Sequence, residues 1–171
     1  MTSMRNYWIL GVIAAFFLGA GADRAFNRSP PVGITTADDR SKLAGFERLH
    51  QLDERITVLN DPKALQAEWT NDAVRLSSNA AADIGREAIY TTDVRSFTDS
   101  PGFAIVSYKP DIRDLQVAGE WAFEWGLFSA GYRSSAAGRV EEAHGKVLRI
   151  LHRESSGEWK FARVMVSLNA R

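Results

Sequence analysis

In the stretch Gly119 to Phe128, GEWAFEWGLF, the carboxylate of Glu124 stands among two tryptophans and two phenylalanines, with Glu120 at the edge of the run. A carboxylate in that company is either a solvent-facing residue of an amphipathic strand or a pocket residue acting as acid, base or ligand anchor. Strand alternation puts Trp121, Phe123, Trp125 and Leu127 on one face and Glu120, Ala122, Glu124, Gly126 and Phe128 on the other. The sequence leaves both orientations open. With the aromatic face inward, Trp121 and Trp125 join Trp69 as candidates to line an apolar ligand site or to fill a core. With Glu124 inward, the small Ala122 and Gly126 leave room beside it, and the aromatic face would meet a second subunit. Burial would then raise the pKa of Glu124 unless an arginine such as Arg149 or Arg163 compensates.

Histidine is the usual acid-base group near neutral pH. His50 has Asp53 three residues on, close enough on a helix for the carboxylate to orient the imidazole. His50 and Glu124 are therefore the candidate catalytic residues, and Trp69, Arg163, Trp121 and Trp125 the candidate pocket residues. His144 and His152 read as structural or solvent-facing. The histidines lack the i, i+4 spacing of a helical metal site and no carboxylate cluster completes one, so no metal is expected. Gly145-Lys146 has no glycine-rich loop before it and no Ser or Thr after it, and no Gly-x-Ser-x-Gly elbow occurs, so neither a nucleotide nor any other cofactor is expected.

At 171 residues, 45% apolar and 25% charged, the chain has the size of one domain with a short appendage. Its 21 basic residues balance its 21 acidic ones, which argues against a nucleic-acid partner. The absence of cysteine excludes disulfides, thiolate metal sites and cysteine nucleophiles. Arg5 precedes an uncharged run from Tyr7 to Ala22 that ends in Ala20-Gly21-Ala22, the small-x-small pattern a signal peptidase accepts. Residues 1–22 are expected to be a signal peptide or, if uncleaved, an N-terminal anchor, with the folded part outside the cytoplasm, periplasmic or secreted. The run falls short of the roughly 20 residues that span a bilayer, so a membrane partner is expected only if it stays attached.

Residues 23–40, with Pro30-Pro31 and Gly33, read as a linker. From Ser41 to about Asn60, Leu43, Phe46, Leu49, Leu52, Ile56 and Leu59 recur at helical spacing. Asp61-Pro62 opens a short second helix. A third begins near IGREAIY and ends at Ser100-Pro101-Gly102. A brief strand, AVRL, lies between the second and third helices. After Pro101 the pattern is strand: FAIVSYKP, IRDLQVA, EWAFEWGLFSAGY, RVEEAHGKVLRILHR and EWKFARVMVSL, separated by turn signals and expected to form an antiparallel meander. The order predicts an α+β domain over residues 41–171, about three N-terminal helices packed on a strongly curved antiparallel sheet of five to six strands.

EWTNDAVRLSS, IGREAI, VAGEWAFEWGLF and GKVLRILHRESSGEWKFARVM resemble, in order and spacing, the SnoaL-like branch of the nuclear transport factor 2-like superfamily. That resemblance implies a cone, often homodimeric, with a pocket at its open end that suits a small hydrophobic or amphipathic ligand. Members include isomerases, polyketide cyclases, dehydratases and plain binding or assembly modules, so the fold does not choose among a ligand-binding protein, an enzyme and a structural or interaction module with a closed pocket. Isomerase-type members place a carboxylate base a few residues beyond the pair that is Asp72-Ala73 here, and that place reads Leu76-Ser77-Ser78. The aromatic residue common near the end of the last strand is replaced by Val166 and Leu168.

Overall fold

The computed structural model describes residues 37–78 and 80–169, with side chains from residue 44 onward. The expected leader, 1–22, and most of the linker lie outside the described residues.

Three helices, α1 (Ala37–Thr57), α2 (Pro62–Gln66) and α3 (Arg86–Asp99), pack against six strands: β1 (Trp69–Ser77), β2 (Asp83–Ile84), β3 (Ala104–Ala118), β4 (Trp121–Arg133), β5 (Glu141–Arg153) and β6 (Trp159–Leu168). The sheet order is β2-β1-β6-β5-β4-β3. It is a curved mixed sheet: β3 to β6 form an antiparallel meander, while β1 runs parallel to β6 and antiparallel to β2. The expected all-antiparallel sheet is corrected at that one pairing. A parallel neighbour requires a crossover, and α3 with the long β3–β5 excursion supplies it.

α1 starts at Ala37, inside the stretch read as linker, and stops at Thr57. Its end is fastened by Asn60, which takes a positive φ of 55°. The Asn60 side chain accepts from Ile105 N (2.7 Å) and donates to Ile105 O (2.9 Å), tying the helix end to the start of β3. α2 opens as its sequence indicates, Asp61 accepting from Lys63 N at 2.8 Å with Pro62 behind it.

The turn expected at Pro110-Asp111 is absent, and FAIVSYKP and IRDLQVA are one strand, β3. Pro110 pairs opposite Phe128. β3 is the edge of the sheet, where a residue without an N–H breaks no ladder. Register shifts at Ile105/Ser107 and Ile112/Asp114 bend the strand. Gly126 sits opposite the second bend, and a Cβ there would meet Asp111 O at 2.5 Å and Ile112 Cα at 2.9 Å. Only glycine lets β3 approach that closely.

The core lies between α1 and the inner face of the sheet, where Phe46, Leu49, Ala73, Ile89, Leu151, Trp159 and Phe161 are buried. Phe46 stacks on Trp159 at 4.4 Å between ring centroids. Gly45 makes that contact possible, since a Cβ would stand 2.7 Å from the indole.

Candidate functional site

β4 alternates as its sequence requires: Ala122, Glu124 and Gly126 are buried, and Trp121, Phe123, Trp125 and Leu127 are exposed. The inward face is thus the one that carries the carboxylate. Glu124 is 1% exposed and stands opposite Arg149 of β5, itself 3% exposed. Arg149 Nη1 donates to Glu124 Oε1 at 3.3 Å, and its Nη2 donates to Asp53 Oδ2 at 2.8 Å and to the Tyr108 hydroxyl at 2.7 Å. The face of Phe161 lies 4.8 Å from the guanidinium carbon, a favourable place for a cation. His50 Nε2 is 2.8 Å from Glu124 Oε2, and its side chain is 22% exposed. A guanidinium buried this deeply repays its desolvation through the two carboxylates and the hydroxyl it binds.

Burial raises the Asp53 pKa, and Arg149 pulls it back. Burial also works against the charge on Arg149, but Tyr108, Asp53 and Glu124 more than offset it and hold the guanidinium charged. Burial pushes the Tyr108 hydroxyl up, with Asp53 adding to the rise, so it stays a neutral phenol.

Beside this cluster stands Glu68, 3% exposed, at the junction of α2 and β1. Its backbone is fixed on both sides, the N–H donating to Leu65 O (3.2 Å) and the carbonyl accepting from Phe161 N (2.8 Å). Its carboxyl is not similarly matched: Oε1 is buried without a hydrogen-bond partner. Burial, reinforced by Asp53 and only partly countered by Arg149, pushes the pKa of Glu68 up to about 9. At neutral pH Glu68 is a neutral carboxylic acid.

These groups form one end of a cavity of about 290 Å³. Asp53, Glu68, Tyr108 and Arg149 face it, and Trp69, Phe97, Phe103, Phe128, Phe161 and Val166 supply apolar wall. A second polar group enters the wall through Arg75 and Asp93. Arg75 binds Asp83 Oδ2 at 2.9 Å and Asp93 Oδ1 at 2.6 Å. Among the described residues no group of three His, Cys, Asp or Glu could hold a metal ion.

The chain matches no family model and no curated protein. Solved structures do match. A scytalone dehydratase-like protein from Novosphingobium aromaticivorans aligns with TM-score 0.66 at 19% identity, over 77% of this chain and 86% of that one. A nuclear transport factor 2-like superfamily protein from Salmonella enterica serovar Typhimurium aligns with TM-score 0.63 at 12% identity, over 80% and 95%. A ketosteroid isomerase-like protein from Erwinia carotovora atroseptica gives 0.57 at 19%, over 78% and 94%. The fold is nuclear transport factor 2-like. At these identities the likeness speaks for the fold alone, and the site must be read from its own residues.

Within this nuclear transport factor 2-like cone, the residues singled out from sequence fall in three places. Glu124 and His50 are brought together, but both lie behind Arg149 and neither lines the cavity. The helical pairing of His50 with Asp53 is replaced by His50–Glu124 and Asp53–Arg149 contacts, because the sheet offers each a nearer partner. Trp69 lines the cavity, 5.7 Å from Phe161. Trp121 and Trp125 stand on the outer face, 40% and 45% exposed. Arg163 also lies outside the cavity, paired with Asp72 Oδ2 at 3.1 Å. A register shift between Ile150 and Leu151 against β6 places one extra residue after Phe161, so Phe161, Val164 and Val166 face inward and Arg163 turns out.

Ser77, in the Leu76-Ser77-Ser78 segment, faces the cavity and brings no carboxylate to it. The carboxyls that do face it come from Asp53, Glu68 and Asp93. Glu68 was missed from sequence. Only its place between a short helix and a strand beginning with Trp69 marks it, and no spacing rule predicts that an acid there turns inward.

Proposed function

We propose that this protein binds a small, largely apolar molecule in the 290 Å³ cavity, with the molecule's polar group against Glu68, Asp53, Tyr108 and Arg149. The observation that carries this reading is the buried Oε1 of Glu68, a polar atom without a partner in the wall of an otherwise apolar cavity. Buried polar atoms are almost always hydrogen-bonded, and a ligand would complete this one. The volume is at the lower end of the roughly 300–1,000 Å³ of small-molecule sites. The test is native mass spectrometry on the purified protein and on Val166→Trp, which fills the cavity. The wild type should carry a reproducible extra mass that Val166→Trp lacks. Equal masses bound by both would place the ligand elsewhere.

An enzymatic reading has its own support. Asp53, hydrogen-bonded to Arg149, and Glu68, whose Oε1 has no partner, face one cavity, and burial raises the pKa of both. Two carboxyls on one cavity, one held by a guanidinium and one not, are groups from which general acid-base chemistry can be assembled. The isomerase-like and dehydratase-like proteins of similar fold make this chemistry the one to assay.

Two further parts of the proposal concern context. Residues 1–22 support export or anchoring, testable by N-terminal sequencing of protein recovered from its own compartment. The outer face supports a homodimer: Trp125, Leu148 and Met165 are exposed in adjacent register, with Trp121, Phe123 and Leu127 beside them on β4. Monomers seldom expose so contiguous an apolar patch.

A further inference from the structure

We infer that the cavity selects a cationic ligand, a small amine with an aromatic or cycloaliphatic body whose ammonium group meets the Glu68 carboxyl. This rests on the cavity reading above and adds the ligand's charge. Both guanidiniums in the wall are already committed, Arg149 to Asp53 and Glu124 and Arg75 to Asp83 and Asp93. Neither is free to receive an anion. Glu68 adds a carboxyl with no cation of its own, 97% buried by its 3% exposure. An anionic ligand would enter against Asp53 and the acid cluster, whereas an ammonium would supply the missing countercharge. The remaining wall is mainly apolar and includes the rings of Trp69, Phe97, Phe103 and Phe128, and ring faces attract cations once water is excluded.

Binding of this kind exchanges a proton for the ligand. Before binding, Glu68 holds a proton up to pH about 9. The groups facing it are Asp53 from α1, Arg149 from β5 and Tyr108 from β3, with Arg75 and Asp93 also in the cavity wall. When the ammonium arrives, Glu68 ionises and one proton leaves to solvent. Affinity for an amine therefore rises with pH below about 9, by up to about tenfold per unit. A neutral ligand that accepts a hydrogen bond from protonated Glu68 shows no such rise and weakens above pH 9.

The experiment titrates the whole protein with three matched probes, 2-phenylethylamine, 2-phenylethanol and phenylacetate, at pH 6, 7, 8 and 9, following amide resonances of cavity residues. The amine is expected to bind at least about tenfold more tightly than either of the others at pH 8, with affinity climbing as the pH rises. Glu68→Gln should abolish that preference and that climb while still binding 2-phenylethanol, which also reports that the variant folds. If it does not fold, the wild-type pH series decides alone. Tighter binding of the alcohol or the carboxylate, or an amine affinity flat in pH, overturns the cationic ligand and leaves the cavity reading standing. If none of the probes shifts the cavity resonances at millimolar concentration, both readings fall.

Discussion

Arg149 is the residue on which the inner polar cluster turns, because its one guanidinium answers two carboxylates from different elements. Glu124, with no exposed side-chain surface, depends on it together with His50. Replacing Glu124 with Gln keeps the shape but leaves Arg149 with Asp53 as its one carboxylate, and should destabilise the fold by about 3 kcal/mol, the scale of a broken buried pair. Urea denaturation would measure it. Glu68 behaves in the opposite sense. Its folded pKa of about 9 is above its unfolded value, so between them the unfolded chain binds fewer protons than the folded one. Stability contributed by the neutral acid is fully present below the unfolded pKa and is lost as pH rises toward 9, with a slope of up to about 1.4 kcal/mol per unit. Burial raises Asp53 and Asp93 in the same direction. Glu68→Gln should flatten this dependence and stabilise the ligand-free protein at pH 8. A thermal-melting series across pH for both proteins would show it.

Among the elements, β3 and β6 decide where the site falls. Gly126→Ala would drive a methyl into the Asp111 carbonyl at the second bend of β3. That is backbone and cannot swing aside, so a loss of about 1–3 kcal/mol is expected, measured by denaturation. Asn60→Ala should cost a similar amount by leaving the Ile105 N–H without its partner. What the sequence made legible follows from the same elements. Helical spacing in α1, the Asp61-Pro62 start of α2 and the alternation of β4 were all readable, because each is a local pattern. The bend that keeps Pro110 in a strand and the extra residue after Phe161 were not. Both depend on which strand lies at the edge and which neighbour sets the register, and these are properties of the assembled sheet. Arg163 and Arg149 looked equivalent as partners for Glu124. The β6 irregularity turned one out, and the uninterrupted alternation of β5 kept the other in.

At the scale of the whole molecule, curvature separates two apolar surfaces with different fates. The concave one encloses the cavity and its acid-rich end, while the convex one leaves Phe123 and Trp125 each 45% exposed. Light scattering on the purified protein should give a dimer mass, and Trp125→Lys should give a monomer that still binds ligand, since Trp125 does not line the cavity. The two faces can therefore be tested independently. The most direct measurement concerns the side chain on which the functional reading depends: a carbon-13 titration of the Glu68 carboxyl in the whole protein, with and without 2-phenylethylamine. The expected result is a carboxyl that titrates near pH 9 alone and several units lower with the amine. A carboxyl that titrates near 4.5, the ordinary value, and ignores the amine would contradict it, because Glu68 would then face water and the cavity would have no acid to offer a ligand.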